Sequence, residues 1–300
     1  MHSIPSLIQI TTQVNRKNAT QRFISPDDSL GMEIIVALYL MILLIAASAA
    51  GLFVQSRLKE HHKTRDTTEA IQMMVLMLVT LAALVLGLLV TSAKADFDNH
   101  DDLYRQYGIA LIRLDIRLRE FGEEGNSLRG TLRAYTAMVI RQSWPDETAP
   151  SGAYPTQFTP LFPGSEETKE ITVALRRIDE AIQNLKPTTP NQMNIYPILQ
   201  RRLSDLERIR WVLVEGPASR ISSVFLAALM FWLVIVFFIF GIIAPRNSLI
   251  YISVLLASLS VSSTLYVILD LDTPLTGLIR VSSQPLRDAL LHMDQPPSAP

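Results

Sequence analysis

The chain has no cysteine. That absence removes disulfides, thiolate-ligated zinc, iron–sulfur clusters and thiol nucleophiles together, and it fits an oxidising or a reducing compartment equally well. The local patterns of common catalytic sites are missing too: there is no HExxH, GxSxG, P-loop or dinucleotide-binding glycine run. An enzyme is not expected, and no cofactor is implied. Charge is also scarce. Only 18% of the 300 residues are Asp, Glu, Lys or Arg, against 49% hydrophobic residues, and a net charge of −1 gives no pull toward nucleic acid.

The shortage of charge is local. Four windows hold no ionised side chain: Ile34 to Ser56, Ala70 to Ala93, Ile221 to Pro245 and Asn247 to Leu269, of 23, 24, 25 and 23 residues. At about 1.5 Å of rise per residue each reaches roughly 35 Å, enough to cross a hydrocarbon layer of about 30 Å. The expected fold is therefore all-α: a polytopic membrane protein with four transmembrane helices and a helical, bundle-like domain inserted between the second and third. Residues 32–93 carry the first two spans, 94–220 the inserted domain, 221–269 the last two spans and 270–300 a C-terminal tail. Residues 1–31 lack an apolar secretory core and read as a flexible leader, with Met32 a candidate natural start.

An even number of crossings puts both termini and residues 94–220 on one side. Arg57, Lys59, Lys63 and Arg65 crowd the short loop after the first span, and such an excess marks the cytoplasm. This places the inserted domain on the extracytoplasmic side of the membrane.

Beyond the second span the apolar residues Phe97, Tyr104, Tyr107, Leu111, Leu114, Leu118 and Phe121 recur every three or four positions, and the same seam runs back through Ala93, Val90 and Leu86. One unbroken helix from about residue 70 to 121 is predicted, stopped by Gly122 and Gly125. Asn126-Ser127 is a candidate cap for a second helix, seamed by Leu128, Leu132, Tyr135 and Val139 and ended by Trp144-Pro145. After a proline-rich loop over 145–164, Ser165-Glu166-Glu167 opens a third helix, striped by Ile171, Leu175, Ile178, Ile182 and Leu185. Pro187 and Pro190 break it, and a fourth follows with Leu199, Leu203, Leu206 and Leu213. These stripes read as one another's core in a four-helix bundle.

Few polar features suggest chemistry. His61 and His62, beside Glu60, are weak metal candidates, because adjacent residues of a helix point about 100° apart. Asp96, Asp98, Asp101 and Asp102 follow the second span, and Asp270 and Asp272 follow the fourth on the same side. In a homo-oligomer such carboxylates would ring a mouth, gathering cations and repelling anions. Ser258 and Ser262, four residues apart within the fourth span, either line a wet path or bond across packed helices. Ala46 to Gly51 holds small residues that let helices approach closely. The spans carry no mid-membrane acid or base, which counts against proton-coupled transport and leaves a passive pore open.

Several motifs together resemble the bacterial bestrophin-like domain family of unknown function. They are Glu60-His61-His62, Ser92-Ala93-Lys94 with Phe97, Tyr135 with Trp144-Pro145, and Leu271-Asp272-Thr273-Pro274-Leu275-Thr276-Gly277 followed by Val281-Ser282 and Pro285-Leu286-Arg287. Leu275 and Thr276 stand where the family pattern usually has Phe and Ser. The resemblance covers about residues 32–292. It implies distant kinship to bestrophins, which are oligomeric anion channels that keep the inserted segment in the cytoplasm; neither anion selectivity nor that orientation is carried over here. The expected function is an oligomeric passive ion channel, with lipid, further copies of the chain and ions as partners. The alternative is a membrane-anchored sensor or scaffold whose helical domain binds a partner.

Overall fold

The computed structural model describes residues 26–57, 65–152, 166–215, 223–245 and 247–295. These form eight helices and no strand: α1 (Pro26–Arg57), α2 (Arg65–Phe121), α3 (Glu123–Ser143), α4 (Glu166–Gln183), α5 (Pro190–Glu215), α6 (Ser223–Ile243), α7 (Ser248–Asp272) and α8 (Gln284–Asp294). Four of them are long and apolar enough to cross a membrane: α1 from Glu33, α2 from Glu69, α6 and α7. The expected all-helical, four-span architecture is what the chain adopts. Within the segment read as a leader, residues 26–31 belong to α1, and residues 1–25 lie outside the described residues. Glu60, His61 and His62 also lie outside them, as does most of the proline-rich loop (153–165).

The membrane-spanning core joins Leu40 and Leu44 of α1, Val75, Ala82 and Ala93 of α2, Leu229 and Phe237 of α6, and Leu265 and Ile268 of α7. Where α1 crosses α6, Gly51 and Gly241 face one another. A Cβ on Gly51 would lie 2.1 Å from the Phe238 carbonyl oxygen, and one on Gly241 2.1 Å from that of Ser48. Here the run of small residues in the first span does its work: backbones touch because no side chain separates them.

Helix α2 continues without interruption for 57 residues, roughly 85 Å at the standard rise. Its predicted seam is buried: Tyr107, Leu111, Leu114, Leu118 and Phe121 meet Leu132 and Tyr135 of α3, Ile178 and Ile182 of α4, and Leu199, Leu203 and Leu206 of α5. Phe97 packs against both cores, at the level where one gives way to the other.

Two helix starts differ from expectation. Gly122 takes a φ of 101° and turns the chain at once, so α3 begins at Glu123 rather than after a cap at Asn126-Ser127. Glu123 and Glu124 then sit at the positive end of the new helix, and Ser127 lies inside it, donating to the Glu124 carbonyl at 2.7 Å. Pro190 starts α5 instead of merely ending what precedes it. Thr189 and Gln192 form a reciprocal capping box, the Gln192 amide donating to Thr189 Oγ1 at 3.2 Å and the Thr189 amide to Gln192 Oε1 at 3.1 Å. Gln192 also donates from Nε2 to the Phe121 carbonyl at 3.0 Å, closing the open end of α2.

Candidate functional site

Trp144-Pro145 and the motif residues from Leu271 to Arg287 meet at the end of α7. Asp270, in the last turn of α7, is 1% exposed. Its carboxylate accepts the backbone N–H of Leu278 at 2.8 Å and of Ile279 at 3.0 Å, and the Tyr266 hydroxyl at 3.4 Å. A carboxylate that takes two main-chain donors folds the following loop around itself. Gly277 completes the wrap with a φ of 103°, and a Cβ there would stand 2.3 Å from Asp270 Oδ1. The Val281 amide then donates to the Pro274 carbonyl at 2.9 Å, closing the loop on itself.

From this loop the chain is strapped to the extramembrane bundle. The Trp144 indole donates to the Val281 carbonyl at 2.9 Å while its ring meets Tyr104 edge-on at 5.0 Å. Pro145 has no amide to continue α3, so the helix ends there and leaves the indole at the junction. Arg280 pairs with Asp146 at 2.9 Å and Arg287 with Glu147 at 2.9 Å; Ser283 donates to the same Glu147. Helix α8 then lies on α2 and α3, with Val281, Leu286, Leu290 and Met293 entering the bundle core.

At the far end of α8 sits a charge cluster that sequence reasoning missed. The Asp115 side chain is fully buried and accepts from Arg129 Nε at 2.7 Å and Arg119 Nη2 at 3.3 Å, with His292 Nδ1 3.4 Å away. Arg129 also donates to the Met293 carbonyl at 2.9 Å and Arg119 to that of His292 at 3.3 Å. The two guanidiniums thus meet the open carbonyls of the last turn of α8, where positive charge is favourable. Arg133 pairs with Asp294 on the rim and holds its carboxyl below the usual carboxylate range, hydrogen bonding outweighing partial burial. One signal was available: Asp115 and Arg119 are four apart beside the apolar seam.

The other sequence-derived candidates are placed as follows. Asp98 is exposed and paired with Lys94 one turn back; Asp102 is exposed and on the same face. Asp101 pairs with Arg105 at 2.9 Å. Asp96 is buried, and its backbone carbonyl lies 2.9 Å from His100 Nδ1. Ser258 and Ser262 face inward within one protomer, Ser262 donating to the Ala37 carbonyl of α1 and Ser258 to its own helix at Leu255, 2.9 Å away. Asp272 is half-buried, and Pro274 and Gly277 belong to the wrapped loop. The carboxylates therefore fall into two sets: Asp98 and Asp102 face outward on α2, while Asp270 turns into the junction with the tail. Among the described residues no group of three or more His, Cys, Asp or Glu side chains could hold a metal.

Comparison with known proteins fits this geometry. A family model described as Bestrophin-like domain matches residues 42–286. No curated protein matches. Among solved structures, two point-substituted forms of a bacterial bestrophin homologue from Klebsiella pneumoniae superpose with a TM-score of 0.61 at 13% identity, covering 86% and 88% of this chain and 99% of their own. A crystal structure described only as a membrane protein gives 0.62 at 14% identity, covering 86% of this chain and 99% of its own. At such identities the likeness speaks for the fold alone; the family match over most of the chain is what shows kinship. This four-span helical membrane protein belongs to the bestrophin-like domain family.

Proposed function

We propose that the chain assembles with copies of itself in the bacterial inner membrane to form a passive ion channel, with the pathway between protomers. One observation carries this reading. Leu84, Leu88, Thr91, Ala95, Asp98 and Asp102 follow one another at intervals of three or four, and all are exposed. They make a single face of α2, apolar inside the membrane and acidic just outside it. Within one protomer the described residues between the spans are packed apolar side chains, Leu40, Leu44, Leu229 and Leu265 among them. Kinship with bestrophins agrees with a channel and not with an enzyme. Carboxylates at the mouth favour cations over anions. The same reading keeps residues 32–93 and 221–269 as the membrane part, 94–220 as the inserted domain and 270–300 as the C-terminal part.

Planar-bilayer recording on the purified oligomer tests the proposal. Single-channel conductance is expected, and Asp102→Lys should move the reversal potential in a salt gradient toward that of the anion. Silence across ions and voltages removes the channel reading. A stable partner trapped by crosslinking at residues 145–152, with no conductance, would favour a scaffold transmitting through α2. Orientation is settled separately. The basic loop after the first span supports an extracytoplasmic bundle, so a cysteine placed at position 150 should react with an impermeant maleimide in intact spheroplasts, and one at position 61 only after lysis.

A further inference from the structure

Glu33 opens the first span, and nothing in the conductance reading uses it. It is 7% exposed and lies beside the wrapped loop of Asp270. The Thr273 hydroxyl donates to Glu33 Oε1 at 2.6 Å and lies 3.3 Å from the Asp270 carbonyl oxygen, tying the two residues to one bridge. Glu33 Oε2, by contrast, is buried with no hydrogen-bond donor among the described residues. Besides the Thr273 hydroxyl, the Asp270 carboxyl group is set against Glu33. Among the described residues, the groups set against Glu33 from the packed elements are Asp270, Asp272 and the Tyr266 hydroxyl, all from α7, and none is a cation.

Two carboxylates in contact cannot bond to each other, because both only accept. Asp270 already receives its donors from Leu278, Ile279 and Tyr266. One proton on Glu33 resolves the conflict: it supplies the missing donor, removes one of two like charges and satisfies the orphan oxygen. We propose that Glu33 and Asp270 form a proton-binding site, in which a single proton taken from water resides on Glu33 and is shared toward Asp270. The site joins the start of the first span to the end of the fourth, and its proton holds the two together. Loss of that proton places adjacent anions at the root of the wrapped loop.

The test uses the full-length protein in lipid nanodiscs and does not depend on conductance. A lipid-soluble carbodiimide modifies buried carboxyl groups only in their protonated form. Peptide mass analysis should find the adduct on Glu33 at neutral pH, with the modification rate falling about tenfold per unit once pH passes the midpoint of the pair. Glu33→Gln, which keeps a donor, should retain the native melting temperature, whereas Glu33→Ala should lower it. Modification of Glu33 only at pH about 5 or below, or at no pH, would overturn the proposal. A melting temperature raised by calcium or magnesium in the native chain and unmoved in Glu33→Gln would overturn it as well, by showing a metal ion in place of the proton. Should Glu33→Gln fail to fold, the native chain's labelling profile decides alone.

Discussion

Tyr107 and Tyr135 share a hydrogen bond between two hydroxyls that water does not reach. Burial pushes the Tyr135 phenol up to about 12, against the opposing pull of the Arg210 charge. A group raised in the folded state stabilises it fully below the unfolded value of 10.0 and loses that contribution as pH rises through about 12. Alkaline titration followed by phenolate absorbance should therefore show Tyr135 ionising together with unfolding of the bundle. Tyr135→Phe strands the Tyr107 hydroxyl and should cost about 1–3 kcal/mol at neutral pH in denaturant unfolding. Asp294 behaves in the opposite sense. Arg133 depresses its carboxyl below 3.8, so its contribution is present above that value and fades as pH falls through the lower folded one. With the Asp294 side chain 45% exposed, the effect is small and confined to α8. Hydrogen exchange of α8, normalised to α4, should quicken below pH about 3.8, and Arg133→Ala should abolish that response.

Among elements, the contact of α1 with α6 leaves no room for a side chain. Gly241→Val must push α6 away from the Ser48 carbonyl that a Cβ would strike at 2.1 Å. We expect a loss of about 1–3 kcal/mol or more, read as a lower detergent melting temperature and a reduced yield of dispersed protein. Such helices were largely legible from the residues. The seams of α2 to α5 repeat every three or four positions, and Leu111, Leu114, Leu118, Ile178 and Leu203 lie where that period puts them. Helix starts were less legible. Thr189-Pro190-Asn191-Gln192 is a capping box that passes for a helix breaker when only its proline is weighed. Asn126-Ser127 has the composition of a cap yet lies inside α3, because Gly122 had already turned the chain.

For the whole molecule, the less legible part was what joins distant segments. Asp270 reads as a mouth carboxylate until the amides of Leu278 and Ile279 are seen to take it. Trp144 and Val281 are 137 positions apart, and no period connects them. Asp115 is likewise matched by Arg129 only once α3 has turned back along α2, and by His292 only once α8 has folded onto both. Asp115→Ala leaves the Arg119 and Arg129 guanidiniums without their buried counter-ion, and we expect a cost of about 3–5 kcal/mol. Limited proteolysis should then release residues beyond 280 before any other part of the chain. Cleavage that begins elsewhere would show that the C-terminal strap does not depend on this cluster.

The uninterrupted course of α2 makes it a lever. Between Lys94 and Phe121 it runs for roughly 40 Å, so a tilt of about 5° at Lys94 swings the distal tip by about 3.5 Å. Gln192 grips that tip. A binding event there would be geared down to a fraction of an ångström at Leu88.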